Sequence, residues 1–241
     1  SKIISYLCKT TFNYRFMVIK AVIPIRKGSQ RVPNKNLRPF AGTTLLEAKI
    51  RTLKESGIFD EIIVNTDSEE AIEIAKANGI SFHRREDYYA SSQCSGSEFF
   101  QHLGQVTDTD VFAYCPVTSP FVSVETMKKC LELYNSSEDI DCVSTVSLVK
   151  EFLWLDGKAV NYDPKNAPNS QNLPDVQALN FGFTLVKRES LIKNRNIIGD
   201  NPQFVTTSDI EAVDIDTPLD FYIAEQMYVK LVVEGKNLLE E

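Results

Sequence analysis

Two groups of residues far apart in the chain have the types and spacing to do chemistry on a polyanion. The first is a run over residues 18–46 that carries Lys20, Arg26, Lys27, Arg31, Lys35 and Arg38 and no Asp or Glu, in a protein of formal net charge -7. Its core reads R-x-G-S-x-x-x-x-x-K-N, with Arg26, Gly28, Ser29, Lys35 and Asn36 at the fixed positions. Glycine lets backbone approach a phosphate, Ser29 offers a hydroxyl, and Arg26 and Lys35 put positive charge where it builds up during phosphoryl transfer. The pattern is neither a Walker A loop nor G-x-G-x-x-G. A loop of this kind either lies solvated on the surface or cradles phosphates. The lack of acids to pair with, and the stiffening by Pro33 and Pro39, favour the cradle.

The second group is Val213-Asp214-Ile215-Asp216-Thr217-Pro218. In an extended segment alternate residues share a face, so Asp214 and Asp216 present two carboxylates to one point while Val213 and Ile215 pack away. Hard oxygen donors of that kind suit Mg²⁺. The competing assignment is that Asp216 caps a helix opening at Pro218. A third segment, residues 84–97, combines Arg85 with Ser91, Ser92, Cys94, Ser95, Gly96 and Ser97. It reads either as a nucleotide contact through Arg85 or as a polar loop feeding a Ser-capped helix. Cys94 and Cys115 have no partner base in a motif, and His83 and His102 read as structural.

These residues need a scaffold, and the chain supplies a rhythm. Residues 18–25 form a buried apolar run that empties into the cationic loop. A helix over 45–57 follows, then a strand over 61–67 and a helix over 68–79, marked by Ser68 at its start and Gly79 at its end. A short strand near 80–83, a helix from about Ser97, a strand over 111–117, a helix after Ser123 and a strand over 141–149 continue the pattern. Such alternation predicts a mainly parallel sheet covered by helices, with ligands at its carboxyl edge.

The rhythm breaks over 150–176, where Pro164, Pro168 and Pro174 stand among four asparagines. Phe152, Leu153, Trp154 and Leu155 there suggest a contact surface, with Trp154 capping the core as the alternative. Regularity returns with a strand over 179–186, a strand through residues 211–216, and a closing helix whose core positions read as Leu219, Tyr222, Ile223, Gln226, Met227 and Leu231. The expected organisation is one α/β domain from 17–149 and 179–241, an inserted segment at 150–178, and an extension at 1–16.

Composition narrows the partners. An excess of acid, 33 Asp and Glu against 26 Lys and Arg, argues against nucleic acid or an anionic membrane surface. No apolar run approaches the length of a membrane span. Five dispersed cysteines and two histidines speak against a disulfide framework or a zinc site and fit a reducing cytoplasm.

Taken together, the run at 23–46, EIIVNTDS, RREDYYASSQCS, the PVTSP stretch at 116–120 and VDIDTPLDF resemble, in the same order and at compatible spacing, the acylneuraminate cytidylyltransferase family. The resemblance implies a Rossmann-like nucleotide-diphospho-sugar transferase fold and a homodimer whose protruding middle segment reaches its partner. It also implies CTP as cosubstrate with Mg²⁺, and transfer of CMP to a small acidic acceptor with release of pyrophosphate. By that resemblance Arg26 and Lys35 hold the triphosphate, with Lys35 next to the α-phosphate, and Gly28, Ser29 and Asn36 lie near the phosphates and ribose. Arg85 and the stretch Cys94, Ser95, Gly96 match the cytidine pocket, and Asp214 and Asp216 match the metal-binding aspartates.

The acceptor half departs from the family. The stretch Pro116-Val117-Thr118-Ser119-Pro120 stands where Q-P-T-S-P is usual, so a glutamine is missing, and Ser170 and Ala178 stand where arginines are usual, although Asn180 keeps a polar group. The expectation is an acid other than ordinary N-acetylneuraminic acid. The alternatives are another nucleoside triphosphate, a small phosphonate acceptor, or a nucleotide-binding module without catalysis.

Overall fold

The structure is a computed structural model that describes residues 17–28 and 31–238. The extension at 1–16 and Ser29 lie outside the described residues. In chain order the elements are β1 (Ile19–Pro24), α1 (Leu45–Ser56), β2 (Glu61–Thr66), α2 (Glu69–Ala77), β3 (Ser81–Arg84), α3 (Asp87–Ala90), α4 (Gly96–Val106), β4 (Val111–Tyr114) and α5 (Val124–Tyr134). Then come β5 (Cys142–Val149), β6 (Trp154–Leu155), β7 (Lys158–Ala159), β8 (Val176–Lys187), α6 (Arg188–Asn194), β9 (Pro202–Thr206) and α7 (Pro218–Tyr228).

Seven strands make one sheet in the order β3-β2-β1-β4-β8-β5-β9. All neighbours are parallel except β8, which runs antiparallel to both β4 and β5. The apolar runs read as strands are the buried centre: Ala21, Val22, Ile23, Val64, Phe112, Ala113 and Val143 have essentially no exposed surface. Helix ends follow the side-chain chemistry. Thr44, Ser68 and Ser123 each accept a backbone N–H of the first turn, and Gly57 closes α1 in the left-handed region. No helix among the described residues is long and apolar enough to cross a membrane.

Three expectations need correction. Residues 211–216 do not join the sheet; the ninth strand is Pro202–Thr206, which pairs with β5. The segment before α7 joins no ladder; its one backbone bond to the 116–120 turn is Ile215 N–H donating to Thr118 C=O at 2.9 Å. Helix α7 buries Phe221, Ala224 and Tyr228 instead of the expected set, leaving Leu219 65% and Tyr222 61% exposed. The helix is apolar nearly all round, so spacing alone does not select a face. Phe40 does, packing edge-on against both Phe221 and Tyr228. Finally, 150–176 is not wholly irregular: β6 and β7 form a small hairpin whose turn, Asp156-Gly157, takes the positive φ angles of a two-residue hairpin loop.

Trp154, Leu155 and Phe152 are exposed on that hairpin and its approach, so Trp154 does not cap the core. The arm they occupy grows out of the sheet as the outer ends of β5 and β8, which stay paired from Val146↔Leu179 to Val149↔Val176. Cys94, Cys115, Cys130 and Cys142 are free thiols.

Candidate functional site

At the carboxyl edge of the parallel strands, β1 ends at Pro24 and the chain passes through buried Ile25 into the cationic loop. Val32, Leu37 and Phe40 bury their side chains and tie the loop down, while Lys27 N–H donates to Asp67 Oδ1 at 2.7 Å. Gly28 has φ 77 with open space around a would-be Cβ, so the backbone angle is what demands glycine there.

Two adjoining recesses flank the loop and share Arg26, Lys35 and Asn36. One, about 470 Å³, adds Arg31, Arg85, Phe99, Tyr114 and the wall Pro116-Val117-Thr118. The other, about 440 Å³, faces Asp67 and the first turn of α2. A larger recess of about 600 Å³ opens at the opposite edge of the sheet, beside Val18 and Asp110, and of the cationic run contains only Lys20.

Lys35 is not a solvated loop cation. It is 8% exposed, its Nζ donates to the Ile215 carbonyl, and it lies 3.8 Å from Asp216. Burial pulls its pKa down, with Asp216 and Asp214 resisting. Arg31, which the sequence left without a role, completes the junction by donating to Asp216 Oδ1 at 2.8 Å. The cationic loop and the acidic segment, 180 residues apart, are thus one construction.

Asp214 is exposed at the mouth of this junction, yet the protein around it desolvates the carboxyl. Burial first, and the charge of Asp216 after it, raise its pKa against a hydrogen bond with the Thr118 side chain. Asp216 does not cap α7. Thr217 does, in a reciprocal capping box with Asp220, which leaves Asp216 free to face the loop. Among the described residues no group of three or more His, Cys, Asp or Glu gathers to hold a metal. The two carboxylates beside the cationic recess nevertheless match the donor set of Mg²⁺, which takes one or two protein carboxylates and completes its shell with phosphate and water. Asp216 would have to exchange Arg31 and Lys35 for that ion.

Arg85 is 5% exposed and rigidly held. Its Nε donates to Asn65 Oδ1 at 2.6 Å, its Nη2 to Asn65 C=O at 2.8 Å, and the guanidinium lies 4.4 Å over the Phe99 ring. Burial lowers its pKa to about 10, which leaves it charged at neutral pH. Asn65 and Phe99 were not identifiable as site residues before the fold placed them. Cys94, Ser95 and Gly96 line neither recess. Ser95 is committed to capping α4 with Glu98, a role its S-x-x-E spacing signals.

On the acceptor side, Asn180 is not available to a ligand. Its Oδ1 accepts from Thr145 Oγ1 and Gly182 N–H, and its Nδ2 donates to Ser147 Oγ and Thr207 Oγ1, so all four positions are filled inside the sheet. Ala178 pairs with Ser147 in the arm, and Ser170 starts a single 3₁₀ turn there.

An α/β fold with a cationic recess of this size beside two aspartates at its carboxyl edge is an arrangement suited to a nucleotide. The cytidylyltransferase family pattern matches residues 20–172, more than half the chain, and the chain belongs to that family. It is 27% identical over 228 residues to N-acylneuraminate cytidylyltransferase A of Danio rerio, covering 91% of this chain. It is 28% identical over 223 residues to the CMP-N,N'-diacetyllegionaminic acid synthase of Legionella pneumophila, covering 88%. The chain spans about half of the first protein, 53%, and nearly all of the second, 96%. Among solved structures, a CMP:2-keto-3-deoxy-manno-octonic acid synthetase complexed with CTP shares the fold, with a TM-score of 0.67 at 12% identity over 89% of this chain and all of that one.

Proposed function

We propose that this chain is a CTP-dependent cytidylyltransferase that transfers CMP to an acidic sugar or a related acid and releases pyrophosphate. The observation that carries the reading is the convergence of Arg26, Lys35, Asn36 and Arg85 on one recess walled by Thr118, with Asp216 ion-paired to the same loop and Asp214 hydrogen-bonded to Thr118. Arg26 and Lys35 clamp the triphosphate, and Arg85 with Phe99 bounds the end of the recess where the base lies. The acceptor hydroxyl oxygen bonds to the α-phosphorus, the bond from that phosphorus to the bridging oxygen breaks, and the hydroxyl proton passes to solvent. Lys35, already partly desolvated, is strengthened as an electrostatic partner to the charge that gathers on the phosphoryl oxygens. Asp214 and Asp216 are the residues that would hold Mg²⁺, whose contribution when bound is neutralisation of phosphate charge.

The acceptor wall is apolar at Pro116 and Val117 and lacks an arginine from the arm, which supports an acid other than N-acetylneuraminic acid. The exposed Phe152, Trp154, Leu155 and Val160 on the arm of residues 150–178 support a homodimer formed through it. The test is pyrophosphate release from each nucleoside triphosphate with Mg²⁺ across a panel of nonulosonic, ulosonic and phosphonic acids. Release should require CTP and one acid class. Nucleotide binding without release for any pair would make the chain a noncatalytic module.

A further inference from the structure

Lys49 is out of place in a helix that covers a hydrophobic core. It sits in the middle of α1, between Ala48 and Ile50, and is 2% exposed. An ammonium has three N–H donors. One of them reaches the Ser119 carbonyl at 2.8 Å, and the nearest group of opposite tendency is the buried thiol of Cys115. Burying a charge with so little compensation is costly, and a methionine would fill the same volume without that cost.

What the ammonium grips explains the arrangement. Ser119 belongs to the turn that walls the recess, and the preceding carbonyl is also held: Thr118 C=O accepts Ile215 N–H at 2.9 Å. The Thr118 side chain hydrogen-bonds Asp214, and Ile215 C=O accepts Lys35 Nζ. Successive carbonyls of one turn are therefore tied to α1 and to the acidic segment. Resting on the proposed function, we propose that Lys49 is a positioning residue, whose hold on Ser119 sets the 116–120 turn and through it the placement of Asp214 and Lys35 around the reacting phosphate.

The test compares the full chain with Lys49→Met and Lys49→Arg by native-state hydrogen exchange and by steady-state pyrophosphate release. In Lys49→Met the Ile215 amide should lose protection by about tenfold or more, while the α1 amides of Ile50 and Leu53 keep theirs. In the same variant kcat should fall by about tenfold or more with KM for CTP within about twofold, because Arg26 and Arg85 stand on other elements. Lys49→Arg, which keeps a charged donor, should restore part of both. Unchanged Ile215 exchange in folded Lys49→Met overturns the assignment, as does a loss confined to KM for CTP. Lys49→Leu is the second truncation, and if neither truncation yields a cooperative urea transition Lys49 is a folding residue and the proposal is wrong. If the wild-type chain releases no pyrophosphate with any pair, the functional reading fails, while the exchange measurement still decides whether Lys49 orders Ile215.

Discussion

The buried ammonium of Lys49 should leave a thermodynamic signature that can be worked out in advance. Burial pulls its pKa from 10.5 to about 8. At about 1.4 kcal/mol per pKa unit, that gap corresponds to about 3 kcal/mol of native-state destabilisation while the group is charged. Between the two values the unfolded chain holds a proton that native Lys49 has released, so this contribution to stability rises with pH through that window. Below about pH 8 the penalty is present in full. Raw stability curves would hide the effect, because the buried thiols of Cys115, Cys130 and Cys142 are pushed up to about 12 and give the opposite slope at alkaline pH. The informative quantity is the difference between the wild type and Lys49→Met, measured by urea unfolding at intervals from pH 7 to 10.5. The wild type should gain steadily on the variant, by about 2–3 kcal/mol across the range. A difference constant to within about 0.5 kcal/mol would refute the reasoning, since Lys49 would then titrate alike in the folded and unfolded chains.

Three further outcomes follow from the site. Lys35→Met should lower kcat by about 10²–10³-fold, the scale of losing one electrostatic partner of a transition state, and a near-normal rate would remove Lys35 from the mechanism. Arg31→Ala frees Asp216 from its ion pair and should tighten Mn²⁺ binding by about two- to fivefold, the range an exposed salt bridge can supply; unchanged affinity in a calorimetric titration would argue against Asp216 as a ligand. Replacing Trp154 and Leu155 together by glutamate should shift the chain to monomer in sedimentation without lowering its unfolding midpoint, because both side chains are exposed in the single chain.

Much of this was legible in the sequence wherever the cause is local. Buried strands announce themselves as apolar runs, helix starts as Thr44, Ser68 and Ser123, and the loop after β1 as a cluster of cations with no acid nearby in sequence. The Asp214–Asp216 pair was readable because alternation belongs to any extended backbone, even one that joins no ladder. What stayed hidden depends on partners distant in the chain. Lys35 reads as solvated until Ile215 is brought to it, and α7 has no preferred face until Phe40 selects one. Arg85 was visible by its charge, whereas Asn65 and Phe99 become a holder and a platform only after β2 and α4 place them beside it. Ser95, which the family resemblance put near the base, is the residue that caps α4, the alternative its segment also offered.

The amide of Asn180 has a meaning for how such a chain can change over generations. Its four hydrogen bonds, with Gly182 wedged against Val122 and Thr145, pin β8 at the point where the arm re-enters the sheet. Strand register is normally vulnerable to a one-residue slip, which would turn every following side chain to the wrong face. Here the lock lies downstream of the arm, so an insertion or deletion within residues 150–175 is absorbed before the chain reaches Thr184, and the pairing of Thr184 with Tyr114 stays fixed. Length and sequence of the arm are thereby uncoupled from the carboxyl edge of the sheet, and a lineage can vary the arm without retuning the recess there.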